Sequence, residues 1–225
     1  MKIIRDQDEL GRLRLMYQVG DYDAQPSAPA LVVDRVLNQE VAPRLALAQA
    51  LTYLSSTSGP VTTQDALAPP TAEVLGTLSC FHGCVATNVQ WKYADIPQGT
   101  VRVAVDECRP GAMMAVEPGT SVPTTHLAVH LLPTSSFGGS LSALREAWIT
   151  TNAGLVGSTP APEVDRMHRQ LAVLLLVSAD LDAAGFVIPE VWVCDKEEWS
   201  SYRMLFKTVG LDLDCAESAG DVDHV

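Results

Sequence analysis

Apolar residues along this chain recur with a helical period in some stretches and a strand period in others, and the changes of period mark out the expected elements. Residues 41–54 are rich in Ala and Leu, carry Pro43 where a first turn tolerates it, and predict a helix. From Pro70 onward Val74, Leu75, Leu78, Phe81, Val85 and Val89 fall at helical spacing, Glu73 complements the positive end of the dipole, and the next proline is Pro97. One helix of about six turns is expected there. Residues 6–18 suit a short amphipathic helix with Leu10, Leu13 and Tyr17 on one side, and residues 141–152 a helix capped by Ser140. Residues 163–181 read as a long helix and residues 196–209 as an amphipathic one.

Strict alternation predicts strands instead. Residues 100–108 set Val101, Val103 and Val105 against Arg102, Ala104 and Asp106, and residues 124–132 continue the sheet. Residues 30–37, 113–116, 186–188 and 190–194 are further strand segments, the last two parted by Pro189. Residues 55–70, with Gly59-Pro60 and Pro69-Pro70, form a loop, and residues 212–225, acidic with little apolar content after Leu213, a disordered tail.

With 225 residues, 47% hydrophobic and 19% charged, the chain can bury a core of its own, and a single domain over 1–225 is expected. The formal net charge of -12, from 15 basic against 27 acidic residues, excludes a phosphate-binding surface, so nucleic acid is not expected as a partner. The first residues lead into no long apolar segment, and the longest apolar run, residues 171–177, is too short to span a bilayer. A cytoplasmic protein without membrane contact is the expectation. No Walker loop or dinucleotide fingerprint occurs, and no cofactor is implied.

Five cysteines, Cys80, Cys84, Cys108, Cys194 and Cys215, follow no disulfide or zinc spacing. His126 and His130 share one face of their strand and would bind a metal only with a third residue; no acid lies beside them in the sequence, and no metal site is expected. Cys80 and Cys84 lie one turn apart on the expected central helix, where both would face one pocket or the core. His82, Asn88 and Trp91 decorate the same segment as pocket candidates, although His82 points about 200° away from Cys80.

The stretch Pro70-Thr71-Ala72-Glu73-Val74-Leu75-Gly76-Thr77-Leu78-Ser79-Cys80 resembles the central-helix motif of the OsmC/Ohr family of thiol peroxidases, carried here by Pro70, Glu73, Leu75, Leu78 and Cys80. The likeness covers residues 55–158, and Asp95-Ile96-Pro97-Gln98-Gly99 leads into a strand much as that family's helix does; the family's second cysteine has no counterpart near Thr151-Asn152-Ala153. The resemblance implies an α+β fold with central helices on a curved antiparallel sheet; outside it, an N-terminal helix and a helix-strand-helix segment over 160–210 are expected as extensions. It also implies a homodimer or heterodimer sharing its pockets, and Cys80 as a peroxidatic thiolate. A thiolate needs a cation, for which Arg35 or Arg44, oriented by Glu40, are the candidates. The alternatives are a non-redox enzyme of small-molecule metabolism, performing an elimination or cyclisation with carboxylates and His82, or a non-catalytic subunit of a heteromeric complex on the same scaffold.

Overall fold

The computed structural model of the chain describes residues 1–26, 28–78, 84–91, 95–107, 126–134, 138–143, 145–154, 163–193 and 197–216. The expected strands at residues 113–116 and the acidic residues beyond 216 lie outside these.

The first departure from expectation comes at once. Residues 6–18 belong to a hairpin of β1 (Lys2–Gln7) and β2 (Leu13–Gln18), paired antiparallel with Asp6 opposite Arg14. Leu13 and Leu15 are buried on either side of half-buried Arg14, a period of two that fits a strand. The turn is set by Asp8, whose Oδ1 accepts from the N–H groups of Leu10 and Arg12, and by Gly11 at a φ of 76°. β3 (Ala30–Val33) then pairs with β2, and α1 (Ala42–Thr52) follows as the Ala/Leu pattern predicts.

The expected six-turn helix is short. α2 (Pro69–Leu75) ends at Gly76, where the Thr77 hydroxyl turns back to donate to the carbonyl of Val74. Gly76 and Thr77 are poor helix residues, and beyond them Val85, Thr87 and Val89 also satisfy a strand period. Val85 and Ala86 form β5 (Val85–Ala86), paired parallel to β4 (Pro60–Val61), and Val89 bridges to Leu67.

β6 (Val101–Glu107) and β7 (His126–Pro133) appear where alternation places them. Residues 141–152 do not form a helix. They make a hairpin of β8 (Ser140–Ala143) and β9 (Glu146–Thr151), in which fully buried Ala147 and Ile149 flank half-buried Trp148. α3 (Glu163–Val177) is buried at every position from Met167 to Val177 and leads by a tight turn into β10 (Ala183–Ile188). Residues 190–192 are a 3-10 turn after Pro189, not a strand. α4 (Trp199–Lys207) leads into β11 (Asp212–Cys215), so the expected tail begins with an ordered strand: Leu213 is buried while Asp212 and Asp214 alternate with it.

Among the described residues nine strands form one mixed sheet in the order β1-β2-β3-β9-β7-β6-β10-β11, with β8 against β9. The β9, β7, β6, β10 and β11 pairings are parallel, and those among β1, β2, β3, β8 and β9 antiparallel. The chain is therefore mixed α and β, with a half-parallel sheet where a wholly antiparallel one was expected. Val103, Val105, Val129, Leu131, Ala147 and Ile149 turn to one face and share a core with α1, α3 and α4. No described helix is long and apolar enough to cross a membrane.

Candidate functional site

The opposite face of the sheet carries the chemistry. Because β6, β7 and β9 are parallel and in register, Asp106, His130 and Trp148 lie side by side, and Leu141 of β8 ends the row. The Asp106 carboxylate stands 3.5 Å from His130 Nδ1, and the imidazole stacks on Trp148 with ring centroids 5.5 Å apart and planes 17° from parallel. A carboxylate beside Nδ1 helps to hold an imidazole in a fixed orientation. In the neighbouring row Ala104, Ala128, Glu146 and Ala143 are register partners. Three alanines leave the face low there, and a cavity of about 510 Å³ opens beside it, lined by Ala143, Arg145, Glu146 and Trp148. The cavity thus brings together carboxylate, guanidinium and indole, and the His130 imidazole stacks on that indole. Among the described residues no group of three or more His, Cys, Asp or Glu side chains is arranged to hold a metal.

This row was missed by reasoning along the chain. His130 has no acidic neighbour in sequence, yet Asp106 sits across from it. The alternation of residues 100–108 already turned Asp106 away from the core; what sequence could not supply was the strand order.

Of the residues proposed from sequence, those that are described are not gathered into one site. Cys80 and His82 lie outside the described residues. Arg35 is tied down: its Nε is 3.3 Å from Asp180 Oδ2 and its Nη1 donates to Ser142 Oγ. Asp180 also accepts from the backbone N–H groups of Asn38 and Gln39, so the pair fastens the loop after β3 to the turn before β10. Arg44 is buried, and its guanidinium donates to the carbonyls of Val209, Pro97 and Gly210 and to Ser178 Oγ. Burial lowers its pKa, and the charge of Asp182 offsets part of that effect. Glu40 orients neither arginine; it pairs with Arg5 at 2.8 Å.

Cys84 donates to the carbonyl of Thr57, and burial together with the charge of Asp23 pushes its thiol pKa up, away from thiolate chemistry. Asn88 donates to the carbonyls of Thr63 and Gln64, a structural tie, and Trp91 is 82% exposed. None of Arg35, Arg44, Glu40, Cys84, Asn88 and Trp91 joins another in a hydrogen bond or ion pair. Comparison of the chain with protein-family models, with curated proteins and with solved structures finds no match.

Proposed function

We propose that this protein acts on a small organic molecule by non-redox proton transfer, with His130, on the face of the sheet turned away from the core, as general base. The observation that carries the reading is the Asp106, His130 and Trp148 row, whose Trp148 lines a cavity together with Ala143, Arg145 and Glu146. In this scheme His130 takes a proton from an acidic C–H or O–H of the substrate, and Asp106 compensates the imidazolium charge. Trp148 offers an apolar face to the substrate body, Glu146 is placed to return a proton, and Arg145 suits a negatively charged substituent. An elimination or cyclisation needs this set and no cofactor.

The competing reading, an OsmC-like scaffold with Cys80 as peroxidatic thiolate, draws its support from the Pro70 to Cys80 motif. Its proposed cations, Arg35 and Arg44, already serve other partners.

The test is hydrogen–deuterium exchange of acidic C–H positions across a set of small carbonyl and carboxylic compounds in D₂O, followed by proton NMR. At least one compound is expected to exchange faster with the protein and to move the His130 ring resonances. His130→Gln should slow that exchange by about 100-fold or more, while Cys80→Ser leaves it unchanged. Exchange that survives His130→Gln refutes the assignment. Hydroperoxide consumption with a dithiol, lost in Cys80→Ser, would put the thiol reading in its place.

A further inference from the structure

Beside β8, three segments remote in sequence enclose a polar cavity of about 260 Å³: the β1–β2 turn gives Arg12, the loop after β3 gives Asp34, Arg35 and Asn38, and β8 gives Ser140 and Ser142. The turn and the loop pack on each other, since a Cβ placed on Gly11 would lie 3.1 Å from Val36 Cγ2. The loop is tied to β8 by the Gly139 N–H, which donates to Asp34 Oδ2 at 2.6 Å, and by the Ser140 hydroxyl, which donates to the Asp34 carbonyl. Ser140 and Ser142 stand opposite Ile149 and Ala147 in register, so they turn to the other face from Leu141 and Ala143. The cavity and the His130 row therefore lie on opposite sides of β8.

Each arginine is held through Nε by a carboxylate: Arg12 by Asp8 at 2.6 Å, and Arg35 by Asp180 at 3.3 Å, whose side chain is 1% exposed. Arg35 serves the scaffold through Nη1 as well, donating to Ser142 Oγ at 3.1 Å, and this leaves the serine's own proton to be given elsewhere. Among the described residues no acceptor is hydrogen-bonded to either Nη of Arg12, to Nη2 of Arg35 or to the side-chain amide of Asn38, and no donor to Asp34 Oδ1. The cavity thus has more donors than its own acceptors use, and the carboxylates at Nε restrict how the two guanidinium planes are offered.

We propose that this cavity binds a small phosphate monoester whose carbon skeleton carries a hydroxyl, of the glycerol-phosphate or sugar-phosphate kind. Three terminal oxygens in a tetrahedron suit donors arriving from three segments: Arg12, Arg35 with Asn38, and Ser142. A planar carboxylate is filled by one guanidinium fork. Asp8 and Asp180 already balance the two guanidinium charges, so recognition rests on directed, charge-assisted hydrogen bonds, and a bare anion gains little. Asp34 Oδ1 accepts the hydroxyl of the skeleton and repels an anion that brings no such proton. Leu10 and Val36, 74% and 54% exposed, also line the cavity and offer aliphatic surface to the carbon chain. The net charge of -12 works against an extended phosphate-binding surface, whereas one ester needs only these few donors.

The experiment is isothermal titration of the full chain with glycerol 3-phosphate and glucose 6-phosphate, beside inorganic phosphate, sulfate, glycerol and glucose. At least one ester is expected to bind one to one and at least about tenfold more tightly than inorganic phosphate, with no binding of the uncharged alcohols. Arg12→Gln should weaken that ester by about tenfold or more, as loss of hydrogen bonds to a charged group does. Arg203→Gln, which removes one positive charge beside β11 at the far end of the sheet, should leave it unchanged. Asp34→Asn should narrow the gap between the ester and inorganic phosphate. No binding of either ester at millimolar concentration, inorganic phosphate or sulfate binding as tightly as the esters, or an affinity that survives Arg12→Gln overturns the proposal. Should Arg12→Gln not fold, the unmodified protein decides: the backbone amide resonances of Asn38 and Ser142 move with an ester and not with glycerol, or the site is absent.

Discussion

His168 gives the chain a stability that depends on pH in a defined window. The side chain is 1% exposed on α3, with Nε2 2.7 Å from the hydroxyl of Tyr202 on α4 and ring centroids 5.7 Å apart. Burial, and secondarily the charge of Arg169, push its pKa from 6.5 down to about 4. Between those values the unfolded chain binds a proton that the folded chain refuses, so stability rises with pH there. It is fully present above about 6.5 and lost as the pH falls toward 4. The gap corresponds to about 3 kcal/mol, a large part of the 5–15 kcal/mol typical of a domain. Asp8 and Asp23, whose pKa values are held below 3.8, act in a lower window, losing their contribution only as the pH falls through that range. Urea unfolding at pH 7.5, 6.5, 5.5 and 4.5, with the denaturant slope held constant, reads the difference. His168→Gln keeps a hydrogen-bonding group near Tyr202 but cannot titrate, and its stability should be nearly flat over the same interval. A wild-type curve that is flat, or a variant that retains the full slope, refutes the argument.

Three further outcomes follow from the packing. Arg44→Met should cost about 3 kcal/mol or more, because it leaves the buried carbonyls that Arg44 now satisfies without a donor; chemical denaturation measures it. Gly99→Ala should destabilise by about 2–4 kcal/mol, since a Cβ there would lie 2.3 Å from the Asp182 carbonyl oxygen and 2.4 Å from the Ala183 backbone, whereas Gly59→Ala meets nothing within 4 Å and should be near neutral. Cys84 should alkylate at least about tenfold more slowly than a thiol of the unfolded chain at pH 8, as timed by mass spectrometry; equal rates would mean that its bond to Thr57 and its raised pKa do not govern access.

What could be read from the sequence was whatever one element decides for itself. The apolar run from Leu171 to Val177 suffices to make α3, the Ala and Leu repeat makes α1, and alternating valines make β6. Short apolar runs carry no such guarantee: Leu13, Leu15 and Tyr17 fit a helix face loosely and a strand face well, and the hairpin decides between them through Asp8 and Gly11. Val85 and Val89 satisfy both periods, and Gly76 with Thr77 breaks the tie by ending α2. The apolar spacing from Pro70 onward predicts one continuous helix, whereas α2 ends at Leu75.

The candidate site could not be read in this way, because no single element contains it. Alternation alone turns Asp106, His130 and Trp148 out of the core, and a slip of one residue in any of the three strands would send one of them inward. Which outward residues become neighbours depends on strand order, and that order comes from connections outside the strands themselves. β9 is threaded between β7 and its own hairpin partner β8, and this brings Trp148 against His130. A carboxylate and an imidazole remote in sequence thus meet at 3.5 Å only because two parallel strands are laid down in register. Arg35 and Arg44 illustrate the converse. Each fits the description of a catalytic cation by residue type, but the fold commits one to Asp180 and the other to backbone carbonyls, and their charge serves the scaffold.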